Sequence, residues 1–237
     1  MFSSSEVILY PEMCAEERAS LQRGMNFRLS TKHSVILMSR RRNAPYHDRI
    51  EDDGRVLIYE GHDAPKSAEN PNPKTTDQPG RYPTGGLTQN GRFREAAEAY
   101  KAGRRDPEIV RVYEKLHQGI WVYNGLFELT DCWCEDSEGR NVFKFRLEVI
   151  DTADREDDGE AQARVDDEHL EHNRVIPTEV KLAVWTRDGG HCVQCGSTDN
   201  LHFDHIIPFS RGGSSLLTEN IQILCARHNL EKRDRIQ

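Results

Sequence analysis

Two short pairs of metal-ligand residues near the C-terminal end place the strongest constraint on this chain. Cys192-Val-Gln-Cys195 is the first pair, and Cys225-Ala-Arg-His228 follows after 29 intervening residues. Thiolate and imidazole ligands in two such pairs are typical of a closed tetrahedral zinc site, which keeps no open position for catalysis. We therefore predict a structural Zn2+ ion bound by Cys192, Cys195, Cys225 and His228. A redox dithiol, or thiols that are simply buried, are the alternatives.

The length and composition exclude several classes of protein. No stretch approaches the roughly 20 apolar residues that a membrane-spanning helix needs. The first residues lack a basic segment followed by an apolar run, so we expect no secretory signal. Six cysteines over 237 residues are too sparse for a disulfide-stapled secreted domain. We expect a cytoplasmic protein with two modest domains and no membrane partner.

The net charge of −8 is unevenly distributed along the chain. Residues 151–175 hold ten acidic residues against three arginines, and the acidic stretches 151–160 and 166–168 have almost no apolar side chains. Such a segment is typical of a solvated linker. We therefore predict one domain over residues 1–150, an acidic linker over 151–175 and a second domain over 176–237. Because the excess acidity is confined to the linker, it does not exclude a nucleic acid as the partner.

Residues 1–150 show a mixture of strand and helix patterns. The spacing of Phe93, Ala96, Ala97 and Tyr100 predicts a helix that ends at Gly103. We also expect a second helix over residues 108–117. The stretch 66–90 is rich in Pro, Gly, Thr and Asn and predicts a long loop. Apolar or alternating runs predict β-strands at 34–39, 55–61, 120–133 and 140–150.

Between the two zinc-ligand pairs lies a group of motifs in a fixed order. They are Leu201-His-Phe-Asp-His-Ile-Ile-Pro208, Gly212-Gly-Ser, Glu219-Asn-Ile-Gln-Ile-Leu-Cys225 and His228-Asn229. With the flanking ligand pairs, this order and spacing resembles the HNH, or ββα-metal, endonuclease family over about the last 60 residues. The resemblance implies a small ββα-metal domain with a structural zinc that hydrolyses phosphodiester bonds.

The HNH resemblance also implies a role for each polar residue. Asp204 and Asn229 would bind a catalytic Mg2+ or Mn2+ ion, since such ions prefer oxygen ligands. His205 would be the general base, and Asn220 would fix the loop that orients His205. Asn229 stands where the family has its last His, so we expect loose metal binding that favours Mn2+. The alternative is that Asp204 and His205 form a structural pair in a zinc finger that does not cut.

Several segments of the first 150 residues resemble the SRA, or YDG, domain family. The resemblance spans roughly residues 25–150 and implies a curved, PUA-like β-sheet or barrel with helices. The Tyr-Asp-Gly signature of the family is present as Tyr123-Asn124-Gly125. The matching segments are Tyr46-His-Asp48, Glu51-Asp-Asp-Gly54, Ile58-Tyr-Glu-Gly61, Thr84 to Gly91 and Val122 to Phe127.

The SRA resemblance implies that 5-methylcytosine is flipped out of the duplex into a pocket. Tyr46 and Tyr59 would hold the base between their rings, and Asp48 would accept a hydrogen bond from the cytosine amino group. Burial of one methyl group is worth only about 0.8 kcal/mol, so a closed pocket discriminates better than a groove contact. The alternative is that Tyr59 is a core residue of a strand and Asp48 a turn residue.

The order of an SRA-like and an HNH-like domain resembles that of modification-dependent restriction endonucleases. It implies an α+β protein that hydrolyses double-stranded DNA containing 5-methylcytosine, with 5-hydroxymethylcytosine as a further candidate substrate. We expect a homodimer, because one HNH site cuts one strand. Two other functions stay open at this point: a non-catalytic reader of methylated DNA with a structural zinc finger, and an HNH nickase for unmodified sites.

Overall fold

The computed structural model describes residues 2–29, 33–41, 44–150, 175–208, 211–232 and 235–236. The predicted acidic linker lies outside the described residues except for Val175. Within the described part of the chain, no helix is long and apolar enough to cross a membrane. The helices are α1 (Tyr10–Glu17), α2 (Gln89–Lys101), α3 (Thr178–Asp188) and α4 (Ala226–Lys232).

Ten β-strands of the described residues form one connected sheet. The fold is therefore α+β, as predicted. In chain order the strands are β1 (Glu6–Leu9), β2 (Met25–Asn26), β3 (Ser34–Met38), β4 (Arg49–Glu51), β5 (Val56–Glu60), β6 (Glu108–His117), β7 (Ile120–Ser137), β8 (Arg140–Val149), β9 (Leu201–His205) and β10 (Ile221–Cys225).

The 18-residue strand β7 organises this sheet. One of its edges pairs with β6, and the other pairs first with β1 and then with β8. From β6 the sheet continues through β3 to β2, and from β8 it continues through β5 to β4. Strand β7 thus changes partner along one edge, and α2 packs on the core formed by this part of the sheet.

Most of the predicted elements of the first region are confirmed. The four predicted strands correspond to β3, β5, β7 and β8, and the predicted helix is α2. Phe93, Ala96 and Ala97 of this helix are buried against the sheet, as their spacing predicts. Its N-terminus is capped by Thr88, whose hydroxyl accepts a hydrogen bond from the Gly91 amide at 3.2 Å.

The helix predicted over residues 108–117 is wrong, because this segment is strand β6. Three of its apolar residues, Ile109, Val110 and Val112, are β-branched and favour a strand. The deciding contacts are distant in sequence, since β6 pairs in parallel with β3 and antiparallel with β7. These two ladders satisfy the backbone groups that a helix would otherwise pair internally.

A β-bulge interrupts β7 inside the Tyr123-Asn124-Gly125 segment. Tyr113 of β6 pairs with Tyr123 and Val112 pairs with Gly125, so Asn124 has no partner across the ladder. Gly125 has a φ of 102°, a conformation that favours glycine. The side chain of Asn124 is buried, so the signature segment contributes a polar group to the interior of the protein.

The C-terminal region packs directly against the first region. Strand β1 pairs with β7 on one edge and contacts β9 on the other, so β9 and β10 extend the same sheet. One apolar cluster contains Leu116 and Val122 from the first region together with Ile176, Val184 and Phe203 from the second. The two regions therefore share both a sheet and a core.

A buried ion pair crosses this junction. The side chain of Lys181 on α3 is 0% exposed, and its Nζ lies 2.6 Å from Glu114 Oε2 and 2.6 Å from Asn124 Oδ1. Thr178 donates a hydrogen bond to the other oxygen of Glu114. Burial alone would raise the pKa of Glu114, but the attraction of Lys181 and these hydrogen bonds lower it. The cluster is thus held in its ionised form.

Replacement of Lys181 should destabilise the protein strongly. Lys181→Met leaves the Glu114 carboxylate buried without its cation, which costs about 3–5 kcal/mol in the free energy of unfolding. Urea unfolding of the zinc-loaded chain measures this loss. The double variant Lys181→Met with Glu114→Gln removes both charges and should recover much of the stability. A loss below about 1 kcal/mol in the single variant would contradict the proposed importance of the pair.

Candidate active site and recognition pocket

Four predicted zinc ligands lie together at the C-terminal region. The ligand atoms of Cys192, Cys195, Cys225 and His228 are all within 4.8 Å of one another. The sulfurs of Cys195 and Cys225 are 3.8 Å apart, and Cys192 Sγ is 3.2 Å from His228 Nδ1. Tetrahedral zinc with Zn–S bonds of about 2.3 Å places two sulfurs about 3.8 Å apart. The residue types and their spacing therefore fit a closed structural zinc site.

The surroundings of Cys192 favour the thiolate that a metal ion requires. Burial would raise the pKa of this thiol. Hydrogen bonds from the Cys225 backbone and from His228 outweigh burial and lower the pKa of Cys192 to about 6. Because Cys225 ends β10 and His228 lies on α4, a zinc ion bound here ties the start of α4 to the β9–β10 hairpin.

Asp204 and His205 are the last two residues of β9. The Asp204 side chain is 14% exposed, and its Oδ2 accepts hydrogen bonds from Lys232 Nζ at 3.0 Å and from Gln222 Nε2 at 3.2 Å. Burial raises the pKa of Asp204, and the charge of Lys232 offsets part of this effect. The carboxylate is thus held at the surface end of the strand by one cation and one amide.

The imidazole of His205 contacts a buried serine. Its Nε2 lies 2.8 Å from the hydroxyl of Ser215, which is fully buried. Burial lowers the pKa of His205 to about 4, and the charge of Lys232 adds to the effect. The ring is therefore neutral at neutral pH, which is the state that a general base needs. Ser215 was not identified by the sequence analysis.

Asn220 ties together the loop that follows His205. Its Oδ1 accepts a hydrogen bond from the Ile207 amide at 2.8 Å. Its Nδ2 donates to the carbonyl oxygens of Ile207 at 3.0 Å and Ser214 at 3.1 Å. Both ends of the loop are thereby fixed beside the imidazole.

Helix α4 brings Lys232 to this centre and also carries the predicted metal ligand Asn229. Asn229 lies three positions before Lys232, and side chains with this spacing share one helix face. Since Lys232 reaches Asp204 from α4, the face that carries Asn229 is turned toward β9. The sequence analysis identified Asn229 and missed Lys232. A basic residue one turn after the last zinc ligand is the signal that could have found it.

A second site is a pocket of ≈ 790 Å³ in the first region. Tyr46, Asp48 and Tyr59, the three residues expected to surround a flipped base, all line it. The structure thus brings these predicted residues together at one cavity. The Tyr59 side chain is only 1% exposed and packs in the apolar core, as the alternative interpretation of this residue expected. Further lining residues are Tyr10, Arg23, Ser39, His62, Lys115 and Trp121.

Asp48 is a buried carboxyl group at this pocket. Its oxygens accept hydrogen bonds from the backbone amides of Glu60 at 3.0 Å and Ser39 at 3.3 Å. Burial raises the pKa of Asp48 to about 7, although the two amides act against this rise. The ionised and protonated forms of Asp48 are therefore both present near neutral pH.

His62 connects the two tyrosines of the pocket and was not identified by the sequence analysis. Its ring stacks on Tyr46 with 5.2 Å between ring centroids, and its Nε2 lies 3.1 Å from the Tyr59 hydroxyl. Burial lowers the pKa of His62 to about 4, so the ring is neutral. His62 follows the Ile58–Gly61 segment directly, and this position is the signal that could have indicated it.

The predicted long loop over residues 66–90 is fastened beside the pocket. Lys74 Nζ lies 3.1 Å from Asp63 Oδ2 and 4.2 Å from the centre of the Tyr46 ring. Gln78 is buried and donates a hydrogen bond to the Gly61 carbonyl at 2.6 Å. The loop therefore supports one wall of the pocket.

Comparison with known families gives one match, which lies in the C-terminal region. Residues 192–235 match the HNH endonuclease family. This match contains the zinc ligands of α4 and β10 together with Asp204, His205 and Asn220. No curated protein matches the chain significantly.

Solved structures that match part of the chain include complexes of SUVH5 SRA. The complex with fully methylated CG DNA has 24% identity and a TM-score of 0.40, and the match covers 60% of this chain and 85% of that chain. The complex with methylated CHH DNA has 23% identity, a TM-score of 0.42, and 62% and 88% coverage. Arabidopsis thaliana SUVH6 in complex with SAM has 22% identity, a TM-score of 0.43, and 76% and 28% coverage.

Loss of the metal cluster should unfold the C-terminal region. Structural zinc contributes about 10 kcal/mol or more of folding free energy in small domains. Cys192→Ser should therefore lose bound zinc and lower the midpoint of urea unfolding. Cys14→Ser, which changes a cysteine outside the cluster, is the matched control and should keep one zinc per chain. Unchanged stability after zinc removal, verified by metal analysis, would contradict a structural role.

The neutral, buried His62 should make the protein sensitive to acid. Its folded-state pKa of about 4 lies below the unfolded value of 6.5, so the unfolded chain binds the proton more tightly. Stability then falls as the pH drops from about 6.5 toward 4. Relative to wild type, His62→Gln should lose about 2 kcal/mol less between pH 7.5 and pH 5.

Urea unfolding at the two pH values measures this difference. His117→Gln, which removes an exposed imidazole, is the control for the loss of a histidine. An identical pH response of His62→Gln and wild type would show that His62 takes up its proton equally well in both states.

Proposed function

We propose that this chain is a modification-dependent DNA endonuclease of the TagI-like SRA–HNH type. Residues 1–150 recognise a modified cytosine in double-stranded DNA, residues 151–175 link the domains, and residues 176–237 hydrolyse the DNA. The observation that carries the proposal is the centre formed by Asp204, His205 and Asn220 beside the Cys3His cluster. We place the enzyme in the cytoplasm.

The residues of this centre suit hydrolysis of a phosphodiester. Asp204 and Asn229 offer carboxylate and amide oxygens, the donor set that Mg2+ and Mn2+ prefer. Such an ion would neutralise charge that develops on the phosphate. His205 accepts a proton from the attacking water through Nδ1, because Ser215 already contacts Nε2. Asn220 keeps the His205 loop in place, and the products are a 5′-phosphate and a 3′-hydroxyl.

The pocket suits a single flipped base. Cytosine presents an amino donor beside a ring-nitrogen acceptor, and the buried Asp48 can serve both. Its ionised form accepts from the amino group, and its protonated form can donate to the ring nitrogen. We propose that the flipped base stacks on the Tyr46 ring in place of His62 or Lys74, which cover this ring in the free protein, with Tyr59 closing the pocket from the core side. We propose 5-methylcytosine as the main substrate and 5-hydroxymethylcytosine as a second one.

A double-strand break requires a dimer of the enzyme or two independent cuts. One HNH centre holds one general base, His205, and cuts one strand. We therefore propose a homodimer on DNA, with each copy contributing one centre.

A paired digest tests the proposed function. Identical plasmids, one unmodified and one carrying 5-methylcytosine, are incubated with the zinc-loaded enzyme and Mg2+ or Mn2+. We expect cleavage of the methylated plasmid only. His205→Ala should lower the rate by about 10²–10⁴-fold, the usual contribution of a general base. The exposed His117→Ala is the matched control and should cut like wild type.

Pocket variants separate recognition from cleavage. Asp48→Ala should abolish the preference for methylated DNA and leave the HNH centre unaltered. Equal cutting of both plasmids by the wild type would overturn the recognition role and indicate a nuclease for unmodified sites. Selective retention of methylated DNA without cutting under either metal would overturn the nuclease role and indicate a reader.

A further inference from the structure

The ammonium group of Lys232 contacts Asp204, the carboxylate that the proposed function assigns to the catalytic metal ion. Its side chain is 1% exposed, and its Nζ lies 3.0 Å from Asp204 Oδ2. The same ammonium donates a hydrogen bond to the His205 carbonyl oxygen at 2.5 Å. Lysine is almost never this deeply buried unless it is paired. One cation therefore contacts both the metal-ligand carboxylate and the backbone of the general base.

The charges of this pair cancel, which affects how the centre binds a divalent cation. Asp204 contributes one negative charge and Lys232 one positive charge. Among the described residues, the amide of Gln222 also contacts Asp204 Oδ2, and this group is uncharged. An ion bound to Asp204 would lie close to the ammonium group, and like charges at a few ångströms repel strongly in a partly buried site. The free centre is therefore poorly suited to hold Mg2+ or Mn2+.

A DNA phosphate would change this balance. It adds one negative charge close to both the metal ion and Lys232, so it would stabilise both cations. The lysine ammonium has three donors on a flexible stem, so it can turn part of its hydrogen bonding to a phosphate oxygen. Its base on α4 stays fixed, because the zinc ligand His228 anchors the same helix.

We propose that Lys232 is an internal counter-ion that keeps Asp204 from binding a divalent cation until DNA enters the site. Binding of the catalytic metal ion then depends on DNA, so the enzyme without DNA holds no such ion at Asp204. Lys232 is a positioning residue, since it acts through Asp204 and His205. This inference rests on the proposed function, in which Asp204 is a metal ligand.

Direct measurement of Mn2+ binding tests the proposal without any cleavage. The zinc-loaded full chain carries His205→Ala so that DNA stays intact, and free Mn2+ is followed by electron paramagnetic resonance. Titrations are made with and without a methylated duplex, and the same titrations of an Asp204→Ala variant supply the baseline. We expect binding at Asp204 to be at least tenfold tighter with DNA than without it.

Two variants of Lys232 separate its charge from its packing. Lys232→Met should bind Mn2+ at least tenfold more tightly than the parent without DNA, and the effect of DNA should largely disappear. Lys232→Arg keeps the cation and should behave like the parent. If Lys232→Met loses zinc or fails to fold, Lys232→Gln replaces it with the same expectation, since an amide is uncharged and still polar.

The outcomes distinguish this inference from the proposed function. Mn2+ binding that is unchanged by Asp204→Ala would show that Asp204 is not a metal ligand, and the proposed metal centre would fail. Binding that depends on Asp204 but is no tighter in the folded Lys232→Met or Lys232→Gln variant would overturn the counter-ion role alone. Tight binding by the parent without DNA would overturn it as well.

Discussion

The buried ion pair between Lys181 and Glu114 is the interaction on which the arrangement of the two regions depends. It joins α3 to β6 with both charges shielded from water, and the bulge at Asn124 supplies a third polar group to it. A buried charge without its partner is strongly destabilising, so this contact specifies one packing of the regions. Strand β1 reinforces it, since it contacts both β7 and β9. The pocket and the HNH centre are thus parts of one continuous structure.

Electrostatics distinguish the two sites from each other. At the HNH centre, Lys232 neutralises Asp204, and burial keeps His205 uncharged. At the pocket, burial raises the pKa of Asp48 toward neutrality and keeps His62 uncharged. Burial therefore sets the charge of Asp48 and His62 at the pocket, whereas an ion pair sets the charge at Asp204.

Contacts from neighbouring side chains hold the residues of each site in place. Ser215 holds one nitrogen of His205, and Asn220 closes the loop that follows it. His62 contacts both tyrosines of the pocket, and Lys74 fastens the neighbouring loop to Asp63. The Cys3His cluster adds a further constraint. Its ligand residue His228 lies on α4, the helix that also carries Lys232.

The sequence by itself determined the features that depend on local pattern. Helix α2 follows from its 3.6-residue periodicity, β8 from alternation, and the metal cluster from the spacing of Cys192, Cys195, Cys225 and His228. Asp204 and His205 were predicted because their contiguous motif resembles that of the HNH family.

Only the tertiary structure decided the features that depend on distant partners. Residues 108–117 form β6 because β3 and β7 pair with them, although a helix was predicted there. Lysines are usually exposed. Lys181 and Lys232 are nevertheless each buried beside a carboxylate that lies at least 28 residues away in the chain. Tertiary packing places each carboxylate beside its lysine. Because an unpaired buried charge has a high free-energy cost, the two groups of each pair stay in contact.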